Sequence, residues 1–287
     1  MTHSVKIIGV VGAGTMGAGI AQVAAQSGYD VVLVDAEDAF IQRGMDRIGS
    51  DLEKAIQRRK LTAEDKNTIT ARIHGTTEYA ALSSCQLVIE AVPETLAIKE
   101  PVLSAISDMV QPDCIIASNT SSQSISDLST FIQNPERMVG MHFFNPVNRM
   151  ALVEVVAGSR TDDQILATVT AVAESMGKTP VRSEDKAGFI VNRVLIPMVN
   201  EAIQALQDGV ASAEDIDTAM KLGAAHPMGP LSLADLIGLD VVLEIMRVLE
   251  RAFGEKYTPA DLLIERVESG FLGRKSGYGF FSYEGNK

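Results

Sequence analysis

Two chargeable side chains stand inside apolar runs near the middle of the chain. His142 lies in Met141-His142-Phe143-Phe144-Asn145-Pro146, and Glu154 lies in Leu152-Val153-Glu154-Val155-Val156, two strand-like pieces joined by a turn. A histidine beside aromatics is often a satisfied core residue. Imidazole, with an unperturbed pKa near ~6.5, can equally take or give a proton near neutrality, and a carboxylate on its other nitrogen would fix the tautomer and stabilise the imidazolium. A second group of residues points to a phosphate. Gly12, Gly14 and Gly17 in Gly12-Ala13-Gly14-Thr15-Met16-Gly17 have the spacing G-x-G-x-x-G. The first glycine allows a tight turn, the second lets backbone approach a pyrophosphate, and the third lets helix and strand pack closely. Asp35 follows at about the ~20 residues expected for a carboxylate that accepts from ribose hydroxyls. It would repel a 2'-phosphate, and Asp35-Ala36-Glu37-Asp38 has no arginine to welcome one, so the cofactor expected is NAD.

These residues need elements to hold them. Apolar runs predict strands at Lys6–Val11, Asp30–Val34, Leu87–Ala91, Cys114–Ser118 and Met138–His142, with further strands at Leu152–Val156 and Thr179–Val181. Helical patterns, such as Gly17–Ser27 and Ile41–Arg59, lie between them, which implies parallel βαβ units and an α/β, Rossmann-type doubly wound sheet. From about Gly188 the pattern becomes helical throughout: Phe189–Leu206, with Pro197 expected to kink or break it, then Ala213–Leu222, Ser232–Phe253 and Pro259–Ser269. Two domains follow, an NAD-binding one over 1–186 and an all-helical C-terminal one over 187–287. In an open α/β sheet the strand carboxyl ends line the ligand crevice. Glu90 to Glu94, Ser118 to Ser122 and His142 to Pro146 all stand at such ends.

Composition narrows the partners. The 287 residues are 46% hydrophobic and 22% charged, an ordinary globular balance. A net charge of -12 argues against a general nucleic-acid binder. Cys85 and Cys114 lack metal-ligand spacing and read as reduced core thiols, which suits a cytoplasmic protein without a metal. No apolar run reaches the ~18 residues of a membrane span, and the first strand starts too early for a signal peptide. Lys54 and Arg58, four apart on one helix face, make a local cationic patch suited to phosphates. Met198, Leu206, Met220, Leu236, Leu239 and Leu243 supply more apolar surface than a small helical core needs, so a homodimer is expected.

With these motifs in hand, the chain resembles the L-3-hydroxyacyl-CoA dehydrogenase family over nearly its whole length: Gly12 to Ala21, IEAVPE, SNTSS, HFFNPV with Glu154, GFIVNR, HPMGPLSLADLIGLD and GRKSGYGFFSY. The resemblance implies a coenzyme A thioester substrate and four catalytic residues, His142 and Glu154 as the acid/base pair with Ser121 and Asn192, which hold the substrate. It implies cofactor contacts at Gly12, Ala13, Gly14, Thr15, Met16, Gly17, Asp35, Ala91, Glu94, Lys99, Asn119, Ser121, His142 and Lys275, and substrate contacts at Lys54, Arg58, Ser121 and Asn192. On the residues alone, Ser121 could also cap a following helix. Residue 281 is Phe where the family often has Tyr, a change expected in the packing of the tail. A small-hydroxy-acid dehydrogenase of similar fold would want a lysine on the helix entering the second domain, where this chain has Asn192. A non-catalytic NAD-binding protein is the alternative from another class.

Overall fold

Strands without a polar face need cover on both sides, and the first half of the chain supplies it. The computed structural model describes residues 5–283 and divides the chain into two compact units, Met1–Lys186 and Ala187–Lys287. In the first unit β1 (Ile7–Val11), β2 (Asp30–Val34), β3 (Ile73–Thr76), β4 (Leu87–Glu90), β5 (Ile115–Ser118), β6 (Met138–Phe143), β7 (Leu152–Ala157) and β8 (Thr179–Glu184) form one sheet in the order β3-β2-β1-β4-β5-β6-β7-β8. Every neighbouring pair is parallel except β6 and β7, which a short turn joins antiparallel. Strand order reverses between β1 and β4, the kind of switch point at which such sheets open a ligand crevice.

The helices α1 (Thr15–Gln26), α2 (Asp38–Gln57), α3 (Ala63–Ala71), α4 (Leu96–Met109), α5 (Ile125–Leu128) and α6 (Asp163–Ser175) connect these strands. Ile8, Val10, Leu33, Leu87, Ile89 and Ile115 are fully buried, as a sheet covered on both faces requires. β3 was not legible from periodicity, because Ile73-His74-Gly75-Thr76 has one apolar residue; it exists through its register on β2, as an edge strand.

The second unit is helical: α7 (Val191–Gln207), α8 (Ala213–Gly223), α9 (Pro230–Ile237), α10 (Leu239–Phe253) and α11 (Asp261–Glu268). Two expectations change here. The single helix predicted over Ser232–Phe253 is two, because Gly238 takes φ +106° between α9 and α10, a backbone state open to glycine and strained for other residues. Of the kink or break expected at Pro197, the break is absent, since α7 runs through the proline. Leu239 and Leu243, counted toward a surplus of apolar surface, are core residues packed with Ile196, Val199, Val242 and Leu249. Leu236 does stay exposed, at 49%, together with Val194 at 68% and Leu222 at 82%. Among the described residues no helix is long and apolar enough to cross a membrane, and no group of three or more His, Cys, Asp or Glu could hold a metal ion.

Candidate active site

Four loops, after β1, β2, β4 and β5, carry many of the candidate residues of the first unit. After β1 comes the glycine turn. Gly12 has φ +104°, and a Cβ there would stand 2.7 Å from the Ala91 carbonyl oxygen. A Cβ on Gly17 would run into the Gly12 carbonyl, so α1 can start this close to β1 only with glycine at that position. Gly14 has open space where a Cβ would point, and it precedes the first turn of α1, whose amides can receive a phosphate. The turn fits a dinucleotide as its spacing implies. Asp35, one residue past β2, accepts from the Ala13 N–H at 2.6 Å and from the Ala36 N–H at 2.7 Å, so it also holds the turn in place.

Between β4 and β5 lies a charge network that the sequence did not disclose. Glu90 is 0% exposed and Lys99, from α4, is 1% exposed. The Lys99 ammonium donates to both Glu90 oxygens at 2.8 and 3.0 Å and pairs with Glu94 at 3.0 Å. Ser118 donates to Glu90 at 2.6 Å. Glu94 in turn accepts from the Thr120 hydroxyl and the Ser121 N–H, each at 2.6 Å, and from the Ser122 N–H at 3.1 Å. Burial pushes the Glu94 carboxyl up, but the Lys99 charge and these hydrogen bonds outweigh it, and the net pKa lies below the ordinary carboxylate value. Lys99, which the resemblance gives as a cofactor contact, is the counter-charge of two glutamates. Ser121 is held by Glu94, and the cap of the next helix is Ser124, whose hydroxyl accepts from the Asp127 N–H. Periodicity could not reveal this network, since a lysine in an amphipathic helix reads as exposed.

The histidine of β6 meets its carboxylate across the sheet. Antiparallel pairing sets His142 opposite Glu154, and such cross-strand partners have neighbouring side chains on one face. The His142 Nδ1 to Glu154 Oε2 distance is 2.6 Å, with His142 6% exposed and Glu154 0% exposed. The imidazole also leans on Phe144, ring centroids 4.4 Å apart. Asn119 ties the neighbouring loop to this strand by accepting the Phe143 N–H at 2.9 Å. A dry histidine with a carboxylate on Nδ1 is an arrangement able to move one proton through Nε2.

The remaining candidates belong to other elements. Lys54 is exposed on α2 and paired with Asp51 at 3.2 Å, and Arg58 is the residue that ends α2. Asn192 belongs to α7 of the second unit. Lys275, also of the second unit, is engaged with both Asp240 oxygens at 2.5 Å. Cys85 and Cys114 are buried thiols, each pushed up to about 12, chiefly by burial.

Both units have counterparts among known proteins. Residues 7–186 match the NAD binding domain of 3-hydroxyacyl-CoA dehydrogenase, and residues 188–283 match its C-terminal domain. A probable 3-hydroxybutyryl-CoA dehydrogenase of Deinococcus radiodurans is 50% identical over 96% of this chain and 99% of its own. A 3-hydroxybutyryl-CoA dehydrogenase of Bradyrhizobium diazoefficiens is 45% identical over 100% of this chain and 98% of its own. The crystal structure of (S)-3-hydroxybutyryl-CoA dehydrogenase from Ralstonia eutropha superposes with a TM-score of 0.96 at 48% identity, covering 98% of this chain and 100% of that one. With both domains matched in order along one chain, this protein belongs to the 3-hydroxyacyl-CoA dehydrogenase family.

Proposed function

We propose that this chain is an NAD-dependent dehydrogenase that interconverts (S)-3-hydroxybutyryl-CoA, or another short 3-hydroxyacyl-CoA, and the corresponding 3-ketoacyl-CoA. The observation that carries the reading is the buried His142–Glu154 pair at 2.6 Å, in the same sheet as a glycine turn shaped for a dinucleotide. NAD, when bound, supplies the hydride acceptor or donor. In the oxidative direction Nε2 of His142 takes the hydroxyl proton while the carbon gives up its hydride, and Glu154 on Nδ1 stabilises the imidazolium that forms. In the reductive direction the protonated ring returns that proton to the ketone oxygen. Ser121, its N–H bound by Glu94, orients the reacting oxygen, and Asn192 holds the thioester carbonyl. Lys54 and Arg58 are the proposed contacts for coenzyme A phosphates, and Asp35 and Lys275 for the cofactor.

The four-carbon preference rests on the names of the relatives, since acyl length depends on pocket shape. The alternative, a non-catalytic NAD-binding protein, would have no use for a histidine and glutamate kept dry against each other. The deciding experiment follows NADH absorbance with acetoacetyl-CoA for the wild type and His142→Ala. Oxidation by the wild type that is nearly lost in the variant supports the reading. A folded wild type that binds NADH but oxidises it with neither acetoacetyl-CoA nor longer 3-ketoacyl-CoAs moves the non-catalytic alternative ahead.

A homodimer joined through the helical unit is part of the same proposal. Val194, Val210, Leu222 and Leu236 are among its exposed apolar residues, and a monomeric mass by light scattering would end that idea. The cytoplasmic setting rests on the two buried thiols, which suit a reducing compartment.

A further inference from the structure

The connection from β6 to β7, residues 144–151, hangs beside the His142–Glu154 pair. It leaves the sheet after Phe143, carries Phe144 against the imidazole, and re-enters at Leu152, two residues before Glu154. Whatever fixes this connection bears on where the ring of His142 points. Inside it, the Arg149 and Met150 N–H groups both donate to the Pro146 carbonyl, at 2.9 and 3.0 Å. The Val147 and Met150 carbonyls turn instead to one outside donor, the Lys178 ammonium, which stands 2.9 Å from the Met150 oxygen.

The backbone around Lys178 delivers it to this place. Past the end of α6, Gly177 takes φ +69°, and the Lys178 N–H donates to the Ala173 carbonyl at 3.0 Å. The next residue, Thr179, opens β8 and donates its N–H to the carbonyl of Ala151, the last residue of the connection, at 2.7 Å. The stem of Lys178 therefore starts from a point already tied to the segment it grips. No carboxylate among the described residues pairs with this ammonium, and burial lowers its pKa. A half-buried cation without a counter-charge is tolerated when its donors are used, and here two carbonyls use them. On the other side Val147, 3% exposed, packs on α1, where a Cβ on Gly19 would stand 2.8 Å from its side chain. The connection is thus held between Lys178 and the helix that follows the glycine turn.

We propose that Lys178 is a positioning residue for the reaction: by drawing the Val147 and Met150 carbonyls onto one ammonium, it fixes the connection that carries Phe144 and so holds the His142 ring in line between Glu154 and the substrate oxygen. This rests on the proposed function and extends it to a residue in none of the motifs. An ammonium suits the task, because its three donors sit on one nitrogen and its charge strengthens each bond to a carbonyl. Lys178 touches no reacting atom in this scheme and acts only through the ring it steadies.

The test measures NADH oxidation with acetoacetyl-CoA for the wild type, Lys178→Met and Lys178→Arg, together with the proton–nitrogen correlation spectrum of the imidazoles. His142→Ala identifies the His142 signals among those of the four histidines. Lys178→Met keeps the stem and removes the donors. It should lower kcat about thirtyfold, within the loss that misplacing a reacting group by up to ~1 Å produces, while the KM for acetoacetyl-CoA and the Kd for NADH stay within about twofold. Lys178→Arg keeps the charge, but its planar fork spreads the donors that lysine concentrates on one nitrogen, so kcat should stand about threefold below wild type. It remains the test should the methionine variant fail to fold, which thermal unfolding checks. The His142 ring signals should move in both variants, and those of His74 and His226 should stay. A lysine that only stabilised the fold would leave kcat per folded molecule and the His142 signals unchanged; either result, or a raised KM at wild-type kcat, would overturn the assignment. A wild type that never oxidises NADH, with His142 signals that still move on changing Lys178, would sink the dehydrogenase reading and leave the hold on the ring standing.

Discussion

Both units bury carboxylates, and the groups those carboxylates hold are of different kinds. In the second unit Asp217, 4% exposed, accepts from the Leu231 and Ser232 N–H groups at 2.8 and 3.0 Å. Asp235, 1% exposed, accepts from the Phe280 and Phe281 N–H groups at 2.9 and 3.0 Å and from the Tyr283 hydroxyl at 3.0 Å. Backbone amides have no second protonation state within reach, so these two acids start a helix and fasten a tail. In the first unit the partners are an imidazole for Glu154, an ammonium shared by Glu90 and Glu94, and the serine loop. The difference teaches that a buried acid becomes a functional candidate through what it faces. Burial by itself marks architecture as readily as chemistry.

That contrast can be broken at four points. The largest effect is expected in the first unit: His142→Ala should lower kcat about a thousandfold, and Glu154→Gln somewhat less, with thermal unfolding little changed, measured by NADH oxidation with acetoacetyl-CoA. Equal activity in Glu154→Gln would place Glu154 with the architectural acids. Next, Lys99→Met strips the buried Glu90 of its counter-charge, and Glu94 beside it, and should cost about 3–5 kcal/mol in urea unfolding. A neutral result would mean that water or a proton replaces the ammonium at no cost.

Asp235→Ala comes third. It leaves two amides and a phenol without their acceptor, and a loss of about 2–3 kcal/mol is expected with kcat per folded molecule retained. If kcat falls as well, the tail that Asp235 fastens belongs to the site, as the proposed role of Lys275 would require. The smallest effect is in the pH dependence, where the two units should differ in sign. The folded pKa of Glu94 is lowered, so its stabilisation is complete above the unfolded carboxylate value of ~4.3 and is lost as pH falls through the folded value. Burial lifts Asp235 above its ordinary value despite the three donors it accepts, with the charge of Asp217 acting in the same direction as burial. Its folded form holds the proton more tightly, so stability is lost as pH rises from ~3.9 through the folded value. Urea unfolding of Glu94→Gln and Asp235→Asn against the wild type, across about pH 3 to 6, should give differences of opposite slope; parallel slopes would remove the contrast.

Much of this was legible in the residues because it is local. The glycine spacing reports a turn whose need for small residues follows from backbone clashes at Gly12 and Gly17. The apolar runs at Ile8, Val31, Ile89 and Ile116 report strands covered on both faces. The helix break at Gly238 was missed because glycine is tolerated inside an apolar helical pattern and only its φ reveals the turn. The burial of Lys99 was not legible, because nothing local in its helix signals a buried ammonium.

The sequence by itself determined that a dinucleotide turn follows the first strand, that an acid follows the second, and that a helical half succeeds a sheet. Those are matters of spacing and periodicity, which neighbouring residues encode together. Only the tertiary structure decided that His142 meets Glu154 at 2.6 Å and that Lys99 lies between Glu90 and Glu94. The physical reason is that register, burial and the convergence of charges depend on which distant segments pack together, and each is settled by the whole sheet at once.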